Sequence, residues 1–335
     1  MFKLARLKGL VSNVFELLVY LVKSSIHGRD LQLRSSDQSI SSKNRLLFCT
    51  LRNEAHRIEF FLDYYRKLGI EHFIFVDNGS TDNFQELVKD CEDVTIYHTE
   101  ASYKASNFGM HWLNFLLRKY GRGKWCLTCD PDEFFVYPKI ERFDLGALTH
   151  YLDQNHRPAF FTLMLDMYGH GKLTDSNYVA GTNPLDVNPY FDEKGYFYTE
   201  NDKYNSLWAQ GGVRLRTLFK DNPYAAPAIN KTPLIKWRWY YSYTSSMHMA
   251  IPRRLNGGYR HELTGVLLHF KFIAAFEEKI VEEMERGEHY GDSTEYKKYQ
   301  QFLADSQNYC EQNSVKYEGW QQLVKLGLVR AKEWM

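Results

Sequence analysis

Neither a G-x-G-x-x-G turn nor a G-K-S/T triplet occurs in the 335 residues, which weighs against dinucleotide and P-loop chemistry. An excess of one charge sign is missing too: 42 Lys and Arg stand against 41 Asp and Glu, a formal +1, which argues neither for nor against a nucleic-acid partner; none is expected. Cysteine is scarce, and five is an odd number, which favours reduced thiols in a cytoplasmic compartment over a disulfide framework. Cys126 and Cys129 form a C-x-x-C, but three residues apart on a strand they face opposite sides of the sheet, so a redox or zinc role is not expected. No run reaches the roughly 20 mainly apolar residues that a bilayer span wants, and no signal-peptide cleavage pattern is found. Hydrophobic residues, at 44%, are ample for a sizeable core, and aromatics reach 16% with 24 Tyr and 22 Phe, a composition that suits both large cores and stacking on sugar rings.

Near the start, Leu4, Leu7, Val11, Val14, Phe15, Leu18 and Val22 recur at helical spacing, with Lys3, Arg6, Asn13, Glu16 and Lys23 mostly off the stripe. The pattern predicts an amphipathic helix that lies on an anionic membrane surface, packs on the body, or packs on a second copy. Ser24 to Asn44 is polar and reads as a linker.

From Arg45 strands and helices alternate. Strand Arg45 to Leu51, helix Ala55 to Leu68, strand Ile70 to Val76, a helix at Phe84 to Val88 capped by Ser80 or Thr81, strand Val94 to His98, helix Ser106 to Tyr120 and strand Trp125 to Cys129 follow in turn. Such alternation implies a mostly parallel sheet with helices on both faces, whose ligands bind beyond the carboxyl ends of strands. Polar clusters occupy those places: Arg52-Asn53-Glu54, Asp77 to Asp82, and Asp130 to Glu133. In the last, Asp130 and Asp132 are two apart, so an extended backbone sends both carboxylates to one side, a pair suited to manganese or magnesium shared with substrate phosphates.

L-R-N-E (Leu51 to Glu54), V-D-N-G-S-T-D (Val76 to Asp82) and D-P-D-E-F (Asp130 to Phe134) resemble the nucleotide-sugar half of family-2-type glycosyltransferases with the GT-A fold, a Rossmann-like sheet here flanked by amphipathic N- and C-terminal helices. Gly211 to Arg216, Lys231 to Trp237, Ser246-Met247-His248, Gly265 to Phe272 and Gly287-Glu288-His289 are similar to a bacterial branch of those enzymes, so that the resemblance runs in order from about Arg45 to Tyr299. It implies a division into 1–44 (helix and linker), 45–138 (nucleotide-sugar half), 139–275 (acceptor half) and 276–335 (C-terminal helices). It also implies a metal-dependent transfer from a nucleoside-diphosphate sugar to a glycan or glycolipid hydroxyl in surface polysaccharide or lipopolysaccharide synthesis. Cysteine usage points to the cytoplasm, and the amphipathic ends to peripheral attachment on the inner membrane.

Carried onto this chain, the resemblance assigns Asp77 to the base or ribose, with Asn53, Glu54 and Asn78 lining the same pocket. Asp130 faces the ribose, and Asp132 binds Mn or Mg at the diphosphate. His269 is the further metal ligand, with His248 as competitor; an extended L-L-H-F-K-F places Lys271 on the same face as His269, toward phosphate. An inverting transfer needs a carboxylate base at the acceptor hydroxyl, for which Asp166, after the apolar stretch Ala159 to Leu165, leads and Glu133 follows. Arg214 and Arg216, same-sided if extended, would grip phosphate. Gly171 to Gln210 has little periodicity and reads as an acceptor-side loop with Tyr168 and Trp208 as sugar platforms. Helices are expected at Phe276 to Met284 and Tyr296 to Cys310, followed by a basic amphipathic segment from Lys316 to Lys332 that would join the N-terminal helix on a membrane. A phosphatase using D-x-D would place the pair after its first strand, and a sugar nucleotidyltransferase would want a Gly-rich loop where Arg52-Asn53-Glu54 stands. A non-catalytic carbohydrate-binding protein would explain the aromatics but not three polar strand ends.

Overall fold

Residues that alternate along a strand feed two separate cores. In β2 (Arg45–Leu51), Leu47, Cys49 and Leu51 join one cluster while Leu46 and Phe48 join the other; β3 (His72–Asp77) splits likewise, Phe73 and Phe75 against Ile74 and Val76. A strand apolar on both sides must be covered on both. α2 (Ala55–Leu68), α3 (Phe84–Val88) and α5 (Leu145–Gln154) cover the first cluster, and α4 (Met110–Tyr120) covers the second. Cys126 and Cys129 fall in different clusters, as their spacing predicts. The computed structural model describes residues 2–35, 40–171, 177–272 and 309–334.

From one edge to the other, the main sheet of the described residues runs β1 (Gln32–Leu33), β4 (Val94–His98), β3, β2, β5 (Trp125–Thr128), β11 (Asn230–Lys236), β7 (Ala159–Asp166), β14 (Gly265–His269) and β6 (Glu133–Val136). The pairings give β2, β3, β4, β5, β7 and β14 a common direction and reverse β1, β6 and β11. This is the mostly parallel α/β sheet the sequence implies. Its direction also concentrates chemistry, because the carboxyl ends of six strands and the amino starts of β6 and β11 share one edge. There Leu51 pairs with Asp77, and His269 pairs with both Asp166 and Glu133.

Several local expectations change. α4 begins at Met110 rather than Ser106 because Asn107, Phe108 and Gly109 all take positive φ, which a right-handed helix does not accept. Ser80 and Thr81 belong to the loop before α3, whose first amide, Phe84 N–H, donates to Asp82 Oδ1 (3.2 Å). The stretch read as a linker is in part structural: β1 pairs antiparallel with β4, Gln32 opposite His98, and extends the sheet. Gly171 to Gln210 contains β8 (Tyr190–Asp192) and a hairpin of β9 (Phe197–Asn201) and β10 (Ser206–Gln210). α6 (Gly212–Leu218) carries Arg214 and Arg216, so the extended backbone that would make them same-sided is not formed.

At the ends of the chain, α1 (Phe2–His27) forms as expected and packs on α4. β15 (Ser314–Lys316) pairs with β8, and Leu323 of α7 (Trp320–Lys325) is fully buried, with Tyr317, Trp320 and Val324 against the first core. The apolar side of the C-terminal segment is therefore turned into the body, which removes it as a second membrane contact. Phe276 to Met284, Gly287 to His289 and all of Tyr296 to Cys310 but its last two residues lie outside the described residues. Among the described residues no helix is long and apolar enough to cross a membrane.

Candidate active site

The edge has a hydrogen-bonded side, at β2 and β3, and a charged side, at β5, β7 and β14. On the first, the loops after the two strands lock into each other. Arg52 Nη1 donates to the carbonyls of Asn78 (2.9 Å) and Gly79 (2.7 Å), Thr81 N–H donates to Asn53 Oδ1 (2.8 Å), and Ala55 N–H, at the start of α2, donates to Asp82 Oδ2 (2.8 Å). Asp77 is fully buried and accepts from Ser80 N–H (2.8 Å) and Gln85 Nε2 (2.7 Å), with His98 Nδ1 at 3.4 Å. Burial pushes its carboxyl up, but Ser80, Gln85 and His98 more than reverse this and hold it below the ordinary range. Asn78 donates to the carbonyls of Thr99 and Ala101. Asp77 and Asn78 thus brace the loop from within rather than reaching outward from it. Glu54 is 2.9 Å from Arg57 Nε, and Arg57 Nη1 donates to the Phe270 carbonyl (2.6 Å), which ties this side to the chain just past His269.

On the second side, β7 and β14 run parallel and end together, bringing Asp166 beside His269. Asp166 Oδ1 lies 2.6 Å from His269 Nδ1, Arg214 Nε donates to Asp166 Oδ2 (2.8 Å), and His269 Nε2 lies 3.3 Å from Asp132 Oδ2. Arg214, Asp166, His269 and Asp132 therefore form one row of alternating charge. Burial alone would raise Asp166, yet Arg214 and His269 bring it down to about 2. Burial likewise would lower His269, but Asp132 and Asp166 outweigh it and raise it to about 9. A shorter row lies beside the first: Lys231, entering from the start of β11, contacts Glu133 and donates to Asp130 Oδ2 (3.1 Å). The two carboxylates keep Lys231 charged despite its burial, while burial pushes Glu133 up against the pull of Lys231.

Exposure separates the carboxylates. The side chains of Asp130 and Asp132 are 44% and 16% exposed, while those of Glu133 and Asp166 are 0% and 1% exposed. Glu133, enclosed against Lys231, has no face for an acceptor hydroxyl. Asp166 has both oxygens engaged, which corrects the expectation that it emerges as an open base. Arg214 is buried against Asp166 and Arg216 pairs with Asp192 (2.8 Å), so neither is an open phosphate grip. Tyr168 is fully buried and bonded to Asp192 and Ser314, which excludes it as a platform, while Trp208 is half-buried on β10. Lys271 lies beyond the end of β14 at His269, so no strand pleat sets it on the face of His269. His248 donates to the Asn230 carbonyl (2.6 Å), and burial and then Lys231 lower it to about 4; it takes no part in the Asp132 row. Lys231 is a residue of this charged edge that sequence reasoning did not place there. Its signal was a cation at the head of the K-T-P-L-I run.

The donor set fits a shared divalent ion. His269 has one nitrogen fixed on Asp166 and the other aimed at the carboxylate of Asp132, a hard oxygen ligand. Among the described residues no group of three or more His, Cys, Asp or Glu could hold a metal ion unaided. Further ligands would have to come from substrate, as magnesium sites commonly arrange.

No protein-family model matches the chain, and no curated protein matches it. Among solved structures it is similar to a mannosyltransferase from Pyrobaculum calidifontis in complex with GDP-Man and Mn2+, at 17% identity and TM-score 0.29, covering 49% of this chain and 48% of that one. This chain thus spans about half the length of that enzyme. It is also similar to HddC from Yersinia pseudotuberculosis (8% identity, TM-score 0.31, 72% of this chain and 99% of that one) and to a nucleotidyl transferase from Methanothermobacter thermautotroptrophicus (9%, 0.24, 78% and 99%). Overlaps this shallow leave the reading of the site to this chain's own side chains.

Proposed function

We propose that the protein is a metal-dependent glycosyltransferase of the family-2, GT-A type, moving a sugar from a nucleoside-diphosphate sugar to a hydroxyl of a glycan or glycolipid in surface polysaccharide or lipopolysaccharide synthesis. The observation that carries this reading is the row Asp132, His269, Asp166, Arg214 at the ligand-binding edge of the sheet. A histidine with one nitrogen held by a carboxylate and the other beside a second carboxylate is how proteins orient an imidazole for a divalent ion. When bound, manganese or magnesium would offset the charge developing on the departing nucleoside diphosphate.

The chain's own groups then have distinct tasks. Asp132 offers a hard carboxylate, and His269 would offer its Nε2 once the proton that Asp132 and Asp166 favour there has given way to the metal. Asp166 is a positioning residue that holds Nδ1–H and sets the tautomer, and Arg214 keeps Asp166 ionised. Lys231 pins Asp130 and Glu133, so that Asp130, the more exposed acid, is presented toward the ribose. The interlocked loops at Asn53 and Asp77 shape the nucleotide side.

The test is thermal stabilisation and calorimetry of the intact protein with a panel of nucleoside diphosphates and nucleotide sugars, with and without manganese. One diphosphate should bind only with the metal, and Asp132→Asn should remove that dependence while the apo melting temperature holds. Failure of every nucleotide to stabilise the protein would favour a carbohydrate-binding protein without catalysis. Stabilisation by a nucleoside triphosphate and a sugar 1-phosphate instead would favour a nucleotidyltransferase.

A further inference from the structure

The two faces of α1 are treated differently by the fold. Its inner face is anchored: Tyr20 Oη donates to the Thr244 carbonyl (3.0 Å), Arg118 donates to Ser24 Oγ (2.6 Å), Glu16 pairs with Arg253 (2.5 Å), and His27 stacks on His111 with centroids 5.2 Å apart. Its outer face carries Phe15, Leu18, Val22 and Ile26, spaced three and four apart and 68%, 54%, 58% and 53% exposed. Those spacings form one stripe along the helix. Leaving four large apolar side chains in water is unfavourable by roughly 25 cal/mol for each Å² that a partner could cover.

We infer that this stripe seats α1 in the headgroup layer of an anionic bilayer, with the helix lying flat. Charge selects that occupant. The basic residues of α1 are Lys3, Arg6, Lys8 and Lys23, and its single acid, Glu16, is already engaged by Arg253 of the body. Anionic lipid headgroups complement such a helix. A second copy laid stripe against stripe would bring two sets of cations together with no free carboxylate in α1 to meet them. The helix is also too polar to span the membrane, which leaves the interfacial position. The inference is independent of the reaction proposed above.

Flotation of the full chain with vesicles of phosphatidylcholine mixed with phosphatidylglycerol, against phosphatidylcholine alone, tests it. The wild type should bind the anionic vesicles, more weakly as salt rises, and pure phosphatidylcholine poorly. Leu18→Glu combined with Val22→Glu should weaken anionic binding by at least about tenfold, since it removes apolar area and adds repulsion, with the melting temperature unchanged because both side chains face solvent. Should that variant unfold, Lys8→Glu with Lys23→Glu, which leaves the stripe intact, should still weaken anionic binding. Absence of wild-type binding, or equal binding by the folded variants, overturns the inference. So does a wild-type dimer in analytical ultracentrifugation that Leu18→Glu and Val22→Glu convert to monomer, which would give the stripe to a second copy.

Discussion

The two sides of the binding edge are built by opposite means. Around Asp77 the loops hold themselves by setting single charged groups against backbone and amide partners, with Arg52 on two carbonyls and Asp77 on Ser80 and Gln85. Around Asp132 order comes from alternating charges: Arg214, Asp166, His269 and Asp132 in one row, and Glu133, Lys231 and Asp130 in the other. A shell in which each charged group already has its backbone or amide partners asks for no further ion. A row of charges is open to another cation, and its loosest link is Asp132 to His269 at 3.3 Å, against Asp166 to His269 at 2.6 Å.

The largest expected effect separates the two sides by stability. Lys231→Met strands Glu133 in a dry site and should cost about 3 to 5 kcal/mol, as breaking a buried pair does, while Arg52→Met, which removes two bonds to backbone carbonyls and leaves no charge behind, should cost about 2 kcal/mol. Urea unfolding of both proteins checks this, and equal losses would erase the distinction.

Next is metal affinity. Asp166→Asn keeps the shape but alters the partner of His269, and should lower metal-dependent nucleotide binding by roughly 10- to 100-fold, the usual cost of changing a group behind a metal ligand. A base would behave otherwise: turnover would fall by roughly a hundred- to ten-thousand-fold with binding intact. Calorimetry with manganese, run beside steady-state kinetics, separates the two roles.

Acid provides a third contrast. The folded pKa of Asp166, about 2, lies below its ordinary value, so its contribution to stability is fully present above about pH 4 and is lost as the pH falls toward 2. Acid unfolding of Asp166→Asn should therefore show a shallower limb than wild type across that interval; superimposable limbs would mean that Asp166 is not held ionised by Arg214 and His269.

The smallest effect belongs to the hydrogen-bonded side. Asp77→Ala removes the acceptor for Ser80 and Gln85 and should cost about 1 kcal/mol, leaving the manganese dependence of nucleotide binding where it was. A loss of that dependence would show that the two sides are one electrostatic unit.

Much of this architecture was legible in the residues. Periodicity placed β2, α2, β3, β4 and β5, because alternation and 3.6-residue spacing are local properties that a chain carries wherever it folds. The position of acids and amides just past apolar runs marked Asn53, Asp77, Asp130 and Asp132 for the same reason. Positive φ at Phe108, which helps shorten α4, was not legible, since an aromatic side chain does not announce a left-handed backbone; Asn107, whose residue type tolerates that region, was the one local hint. The helical state of Arg214 and Arg216 in the seven-residue α6 was hidden as well, because so short an element owes its form to packing rather than to propensity.

By itself, then, the sequence determined an α/β chain with helices on both faces of its sheet, polar strand ends, and a leading helix with an apolar stripe. Tertiary structure alone decided the partners. β11 inserts between β5 and β7 and carries Lys231 to Asp130 across a separation of 101 residues; β14 lies parallel to β7 and sets His269 on Asp166 across 103. These pairings set what each carboxylate does, and they follow from strand order, a long-range choice made by burial of whole faces that no local pattern encodes.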